Sequence, residues 1–286
     1  MKAKIIFTAA FAAAAIFCAA CAGTHECAQK HRKIALHGYI YRGGMTLEET
    51  VGEARRLGAD GVACSSTQDI SKKYPDVKFG LTMTAEQRAY VKKFFADNKI
   101  DMVSFAVGAA PMTPEALDEC CKFCADMGIP VFVWEGNPAL ADKLNESAAK
   151  YRITAAVHNH TWAMKTKDFE YRYWSPNFVW SVIKDRPHLA ACADDGHWIK
   201  MNFDTCMNYR ILRGRLAAIH FKNRSQWGMG GGSFTPLADG VMDAAAALRT
   251  LDELGYDGYF VLENESCKGA EIAETMKSDI KFLRQH

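Results

Sequence analysis

The sequence has little of several features that would place it in other classes of protein. Beyond residue 25 it has no apolar run long enough to cross a bilayer, which argues against a bundle of transmembrane helices. Its formal net charge is only +2, so it offers no broad basic surface to nucleic acid. No G-x-G-x-x-G opens the first predicted helix and no G-K-[ST] is present, which argues against a dinucleotide-binding sheet and a P-loop. What remains is an ordinary globular composition of 286 residues, 49% hydrophobic and 24% charged.

The first residues differ from the rest of the chain. Two lysines precede the apolar segment from Ile5 to Phe17, which has the length of a signal-peptide core and is short for a membrane-spanning helix. Small residues then precede Cys21, as in the lipobox of an exported lipoprotein; simple cleavage at an A-x-A-like site is the alternative. We predict a lipoprotein-type signal peptide over residues 1–20, lipidation at Cys21 and a linker over residues 21–32. This implies export to the periplasm, or to a membrane through a lipid anchor, in a bacterium.

From Lys33 onward, short apolar runs alternate with amphipathic segments. We predict eight strands: Ile34–His37, Gly61–Cys64, Met102–Val107, Val131–Trp134, Ala155–His158, Leu189–Ala193, Leu216–Phe221 and Tyr259–Leu262. The clearest helical segments between and after them are Leu47–Arg56, Ala85–Asn98, Pro114–Met127, Pro138–Tyr151, Asn177–Lys184, Met242–Leu254 and Ala270–Leu283. Eight βα units in one domain favour a closed (β/α)₈ barrel, a TIM barrel over residues 33–286, over an open doubly wound sheet.

Three of the ten cysteines lie close together in one predicted helix. Cys120, Cys121 and Cys124 recur at helical spacing with Leu117 and Met127. This spacing is typical of the buried stripe of an amphipathic helix. We therefore predict that these thiols face the sheet and form neither a metal site nor a redox site.

Polar residues, nearly all of them ionisable, stand at the ends of five consecutive predicted strands. They are Glu135 after the fourth strand, His158, Asn159 and His160 at the fifth, Asp194, Asp195 and His197 at the sixth, His220 and Lys222 on the seventh, and Glu263 and Glu265 after the eighth. In a (β/α)₈ barrel the carboxyl ends of all strands meet at one face. Each residue alone could be a helix cap or a hydrogen-bonded side chain, but burial of the whole set is costly unless a cation or a substrate compensates. Imidazole and carboxylate ligands together suit Mn²⁺, Zn²⁺, Fe²⁺ or Co²⁺ better than Ca²⁺.

The phrases that contain these residues resemble the xylose isomerase-like barrel superfamily, often called the sugar phosphate isomerase/epimerase family. The matching phrases are HNH after strand five, ADDGHW against the usual ADTGHW, IHFKN, which is similar to LHFKD, and GYDGYFVLE. The resemblance covers most of the chain from Lys33 onward. Asn223 stands where the family phrase has an aspartate.

The resemblance implies a site for one divalent metal ion, of Mn, Zn, Fe, Co or Mg. Three ligands carry over directly from the matching phrases: Asp194, His220 and Glu263. The fourth is less direct, because many relatives have a glutamate on strand five where this chain has His158. In relatives with HNH a glutamate closes strand four, so we assign Glu135, with His158 or His160 as the alternative.

The resemblance also implies chemistry beside a sugar carbonyl. A base would remove the α-proton of a metal-chelated sugar, and the resulting enediolate would be reprotonated elsewhere. The predicted catalytic residues are His160, Glu263 and His158, and the predicted substrate-binding residues are His197, Lys222 and Asn159. The predicted function is therefore that of a metal-dependent sugar isomerase or epimerase with a small sugar or keto-sugar as substrate.

Two other functions remain open at this point. The same intermediate could expel a group from the β carbon, as in a 3-keto-glycoside lyase, hydratase or dehydratase. A non-catalytic sugar-binding lipoprotein would fit if the predicted ligands bound no metal. The apurinic endonuclease that shares this barrel needs a zinc cluster and a basic groove, and the near-neutral charge argues against it.

Overall fold

The computed structural model describes residues 31–41, 44–108, 113–167, 169–266 and 268–286. The predicted signal peptide, the lipidation at Cys21 and most of the linker lie outside the described residues and stay predictions. Within the described ranges, no helix has both the length and the apolar character needed to cross a membrane.

Eight parallel strands close into a barrel, so the predicted (β/α)₈ fold is confirmed. The barrel strands are β1 (Lys33–His37), β2 (Gly61–Ser65), β3 (Asp101–Ala106), β4 (Val131–Trp134), β5 (Thr154–His158), β6 (Leu189–Asp194), β7 (Leu216–Phe221) and β8 (Tyr259–Leu262). Each strand pairs with its neighbours in the chain, and β8 pairs with β1 to close the ring. All eight predicted strands are present, with ends shifted by at most one residue.

Helices surround the barrel, and the described residues form α1 (Leu47–Leu57), α2 (Ala85–Asn98), α3 (Pro114–Met127), α4 (Ala141–Tyr151), α5 (Pro176–Ile183), α6 (Asp195–Lys200), α7 (Thr205–Ile211), α8 (Ala244–Glu253) and α9 (Ala270–Gln285). The capping box of Thr46 and Glu49 begins α1. The predicted helix from Pro138 is divided, because Pro138–Leu140 forms a 3₁₀ turn before α4. The segment after β6, which has no clear helical pattern, forms the two short helices α6 and α7.

The cysteine stripe of α3 is buried as its spacing predicts. Cys120, Cys121 and Cys124 are at most 1% exposed and pack in the main hydrophobic core with Leu117 and Met127. Among the described residues, no group of metal-ligand atoms includes any of the three thiols. The stripe therefore belongs to the packing between α3 and the barrel.

We expect slow alkylation of these three thiols in the native protein. Burial raises the pKa of Cys121 to about 12, so the reactive thiolate is scarce at neutral pH. Cys206 is half-buried and serves as the internal control in an iodoacetamide time course followed by peptide mass spectrometry. Labelling of two of the three as fast as that of Cys206 would show that the helix face is open to solvent.

The side chain of Asp279 on α9 is buried, and it connects this helix to the turn Leu237–Asp239 by a hydrogen bond. It accepts a hydrogen bond of 2.7 Å from the main-chain N–H of Leu237. Burial raises its pKa to about 7, against the opposing effect of this bond. The folded state therefore binds a proton at Asp279 between about pH 4 and pH 7, where the unfolded state does not. Below about pH 4 the carboxyl is protonated in both states, so it does not change the stability with pH. Between about pH 4 and pH 7 the free energy of unfolding falls as pH rises.

Asp279→Asn should remove this pH-dependent loss, since asparagine keeps the acceptor oxygen and carries no charge. The stability of the variant relative to wild type should rise by on the order of 2 kcal/mol between pH 5 and pH 8. Urea unfolding of both proteins at the two pH values measures the difference. A difference that does not change with pH would mean that Asp279 is ionised in the folded state throughout.

Candidate active site

A cavity of about 620 Å³ opens at the carboxyl ends of the barrel strands. All eight strands, or the residues directly after them, contribute to its wall. The predicted site residues that line it are Glu135, His158, His160, Asp194, His197, His220, Lys222 and Glu263. The volume is in the range of sites for small molecules.

Four of these side chains, from four strands, bring ligand atoms to one point. His158 Nε2 lies 3.1 Å from His220 Nδ1 and 3.4 Å from Asp194 Oδ2. His220 Nδ1 lies 3.6 Å from Asp194 Oδ2 and 3.1 Å from Glu263 Oε2. Atoms that bind one ion at about 2.1 Å are about 3.0–3.5 Å from each other, so these four distances are close to those within a shared coordination sphere. We refer to His158, Asp194, His220 and Glu263 as the ligand cluster.

The ligand cluster attracts positive charge. Two imidazole lone pairs repel each other at 3.1 Å, so a proton or a metal ion must lie between His158 and His220. Burial alone lowers the pKa of His158, but Glu135 and Asp194 outweigh it and raise the pKa to about 10. Two imidazoles with two carboxylates also form a donor set that suits a divalent transition metal.

Among the described residues, three groups have ligand atoms within 4.8 Å of one another: His158, Cys192 and His220; His37, His220 and Glu263; and Glu135, His158 and His160. None of these groups is the whole ligand cluster and none includes Asp194, but they share His158, His220 and Glu263 with it. Their imidazole, thiol and carboxylate donors are of the kinds that bind divalent transition metals, so the residues present fit such an ion.

Glu135 holds two histidines at once. Its Oε1 lies 2.9 Å from His158 Nδ1, and its Oε2 lies 2.5 Å from His160 Nδ1. Burial would raise the pKa of Glu135, but the two imidazoles hold it well below its usual range. The ionised carboxylate can accept Nδ1–H from both rings, so that Nε2 is the nitrogen that carries the lone pair when a ring is neutral. Glu135, our first choice as fourth ligand, is therefore separated from the ligand cluster by the ring of His158, the alternative.

Asn159 and His197 both support Asp194. The amide of Asn159 donates to the main-chain oxygen of Asp194 at 3.0 Å and accepts from its N–H at 2.8 Å, which ties the end of β5 to β6. The N–H of His197 donates to Asp194 Oδ1 at 2.9 Å, so this oxygen caps α6 while Oδ2 faces the ligand cluster. Burial lowers the pKa of the His197 ring well below its usual range, and the ring centre lies 4.2 Å from that of His160. The predicted contacts of Asn159 and His197 with substrate stay predictions.

The ammonium of Lys222 lies among three carboxylates. Its Nζ is 2.8 Å from Asp194 Oδ2, 2.8 Å from Glu263 Oε2 and 3.2 Å from Glu265 Oε1. Burial alone would lower the pKa of Lys222, but these carboxylates outweigh it and raise the pKa well above its usual range. The lysine is therefore a buried cation in contact with two members of the ligand cluster.

Among the residues of the site that the sequence-based prediction does not include, His37 and Tyr171 lie beside its carboxylates. His37 ends β1 and lines the cavity with its Nδ1 3.9 Å from Glu263 Oε1. Burial lowers the pKa of His37 to about 3, so the ring is neutral. His37 could have been predicted, because it ends an apolar strand as the predicted site residues do. Tyr171 donates to Glu135 Oε2 at 3.3 Å from a loop that has no distinguishing sequence pattern.

Asn223, which replaces the aspartate of the family phrase, has a structural role. Its Nδ2 donates to the main-chain oxygens of Leu237 and Met242, each at 2.9 Å. Its Oδ1 accepts the N–H of Met242 at 3.0 Å. Only an amide supplies both donor and acceptor here, so the departure concerns the loop after β7 and leaves the ligand cluster unchanged.

Comparison with known proteins gives a family match and a set of similar folds. The model of a family described as xylose isomerase-like TIM barrel matches residues 51–286. No curated protein sequence matches the chain.

Similar solved structures share the whole barrel. An uncharacterised protein from Parabacteroides distasonis is 22% identical with a TM-score of 0.70, over 89% of this chain and 98% of that one. The IolI protein with a bound zinc atom is 14% identical with a TM-score of 0.69, over 87% and 95% of the two chains. The 3-keto-D-glucoside 4-epimerase YcjR from E. coli is 13% identical with a TM-score of 0.66, over 90% and 100%. At these identities the likeness shows the fold alone.

Proposed function

Because this chain belongs to the xylose isomerase-like TIM barrel family, we propose that it is a metal-dependent isomerase or epimerase of a sugar or keto-sugar. The observation that carries the proposal is the ligand cluster beside His160, a histidine that Glu135 orients in the wall of the cavity. A 3-keto-D-glucoside 4-epimerase and a D-tagatose 3-epimerase-like protein are among the proteins with similar folds, which supports this class of reaction. Because the sequence also predicts a signal peptide, we propose that the enzyme is exported and acts on glycan-derived sugars.

The ligand cluster would hold one divalent ion. Glu135 stands behind His158 and bonds to its Nδ1, as carboxylates behind metal-binding histidines commonly do. When bound, such an ion polarises a carbonyl oxygen and stabilises the negative charge that develops on it. The proposal therefore takes His158 as the fourth ligand and gives Glu135 the role of orienting it.

His160 is the proposed base. Its Nδ1 is bonded to Glu135, so its Nε2 is available to a molecule in the cavity. A carboxylate that holds one ring nitrogen fixes the tautomer and stabilises the imidazolium that forms when the other takes a proton. The neutral ring of His197 packs against His160 and limits its rotation. Glu263, the other predicted base, has Oε2 in the ligand cluster, which favours a ligand role for it.

Solvent exchange tests this chemistry. In D₂O, the metal-loaded protein should place deuterium on the carbon next to the carbonyl of a keto-sugar, because His160 lies in a wall that solvent reaches. Nuclear magnetic resonance of the recovered sugar measures the exchange, and metal-stripped protein is the control. Exchange with release of the glycosidic group would favour the lyase reaction. Full turnover without deuterium would indicate a shielded proton or hydride transfer and would contradict a base that exchanges its proton with solvent.

A further inference from the structure

Lys222 lies where a bound cation is expected. Its Nζ is 2.8 Å from Asp194 Oδ2 and 2.8 Å from Glu263 Oε2. The same two oxygen atoms face the imidazoles of the ligand cluster, Asp194 Oδ2 at 3.4 Å from His158 Nε2 and Glu263 Oε2 at 3.1 Å from His220 Nδ1. An ammonium and a metal ion would therefore compete for the same two carboxylate oxygens.

The surroundings of Lys222 keep its ammonium at this position. Its three N–H donors have three carboxylates within reach, since Glu265 Oε1 is the third at 3.2 Å. A Cβ added at Gly196 would lie 3.0 Å from Lys222 Cγ, so the stem of the lysine is packed against this glycine. The ammonium also lies 4.9 Å from the centre of the Phe234 ring. A buried cation with three anionic partners balances the carboxylates without any further ion.

We propose that Lys222 is an internal counter-cation of the metal site, which holds Asp194 and Glu263 in place before a metal ion binds and releases them when the ion enters. Like charges a few ångströms apart repel strongly in a buried site. The ammonium then keeps its bond to Glu265, whose side chain is 28% exposed towards the cavity. The inference rests on the proposed function, because it assumes that the ligand cluster binds a divalent ion.

A counter-cation and a ligand affect metal binding in opposite directions. Removal of a ligand lowers the affinity for the ion, whereas removal of a competing positive charge raises it. Removal of the counter-cation also leaves two buried carboxylates uncompensated, which destabilises the metal-free protein. Lys222 should therefore weaken metal binding and stabilise the protein without metal.

Metal affinity of the full chain, stripped of metal, tests this inference. Lys222→Met keeps the stem and removes the charge, so it should bind Mn²⁺ and Zn²⁺ at least about tenfold more tightly than wild type in isothermal titration calorimetry. Without metal, the same variant should melt at a lower temperature than wild type. Lys167→Met is the matched control, because Lys167 lines the same cavity but is exposed. Loss of the Lys167 charge should change the affinity for the metal ion by less than about threefold, since exposed charges are screened by solvent and salt.

Two further variants keep the test decisive. Lys222→Gln can hydrogen-bond to both carboxylates without a charge, and it replaces the methionine variant if that one does not fold. Glu265→Gln should weaken metal binding, because the displaced ammonium loses its remaining carboxylate. Unchanged or weaker metal binding by the Lys222 variants would overturn the counter-cation while leaving the metal site intact. If neither wild type nor the variants bound either ion, the metal dependence in the proposed function would fail, and this inference with it.

Discussion

Replacing His160 with glutamine should lower turnover of a keto-sugar substrate by about 10²–10⁴-fold, which is the usual contribution of a general base. Glutamine has a polar group that can still contact Glu135, but it cannot take up the α-proton. The metal content should stay close to that of wild type, because His160 lies outside the ligand cluster. Turnover and metal analysis by mass spectrometry on the same preparation measure both quantities.

Glu135→Gln is the matched variant for this experiment. Because Glu135 bonds to both His158 and His160, its neutralisation should lower turnover and also weaken metal binding. Loss of a carboxylate behind a metal-binding histidine typically costs about 10–100-fold in metal affinity or activity. Wild-type turnover in His160→Gln would rule out His160 as the base and would leave Glu263 or His158 in that role.

The barrel and most of its site follow from local patterns in the sequence. Apolar runs of strand length, separated by helical segments, predict the eight strands because each pattern is complete within a few residues. Closure of the barrel then brings distant strand ends to one face, so Asp194, His220 and Glu263 meet although they are far apart in the chain. Knowledge of the strand ends was therefore sufficient to predict most of the ionisable residues that line the cavity.

The contacts within the site depend on side-chain direction, which the strand boundaries alone do not specify. His158 ends β5, and the chain directly after it keeps the alternation of side chains that is typical of a strand: His158 and His160 both face the cavity while Asn159 between them turns to the neighbouring strand. The same alternation puts His220 and Lys222 in the cavity wall, on either side of a buried phenylalanine. This period explains why Asn159 does not line the cavity with its two neighbours, while its contact with substrate stays a prediction.

The different positions of Glu135 and His158 relative to the ligand cluster could not be predicted from the sequence. Glu135 lies just beyond the last residue of β4, whereas His158 is the last residue of β5. Both lie at the same end of the barrel, and both are chemically competent ligands. Only the distances show that the imidazole of His158 lies between Glu135 and the other three members of the ligand cluster.

Asp194→Asn should lose metal binding and activity together. Asp194 Oδ2 lies within 3.6 Å of a nitrogen atom of each of His158, His220 and Lys222, so it is the most shared anionic atom of the site. Asparagine keeps an oxygen that can accept the N–H of His197 at the start of α6, so the variant tests the charge more than the local fold.

The expected loss has two measurable parts, one in metal affinity and one in stability. Neutralising one partner of a buried ion pair costs about 3–5 kcal/mol, because the remaining charge, here that of Lys222, is left without compensation. Urea unfolding without metal should show a loss of this order, and calorimetry should show metal affinity lowered by about 100-fold or more.

Asp195→Asn is the control, since both oxygens of this neighbouring buried carboxyl accept from Tyr209, at 2.7 and 2.8 Å. That variant should bind metal as wild type does. If Asp194→Asn also kept full metal content and activity, the ligand cluster would not be the metal site, and the reaction would have to take place without Asp194.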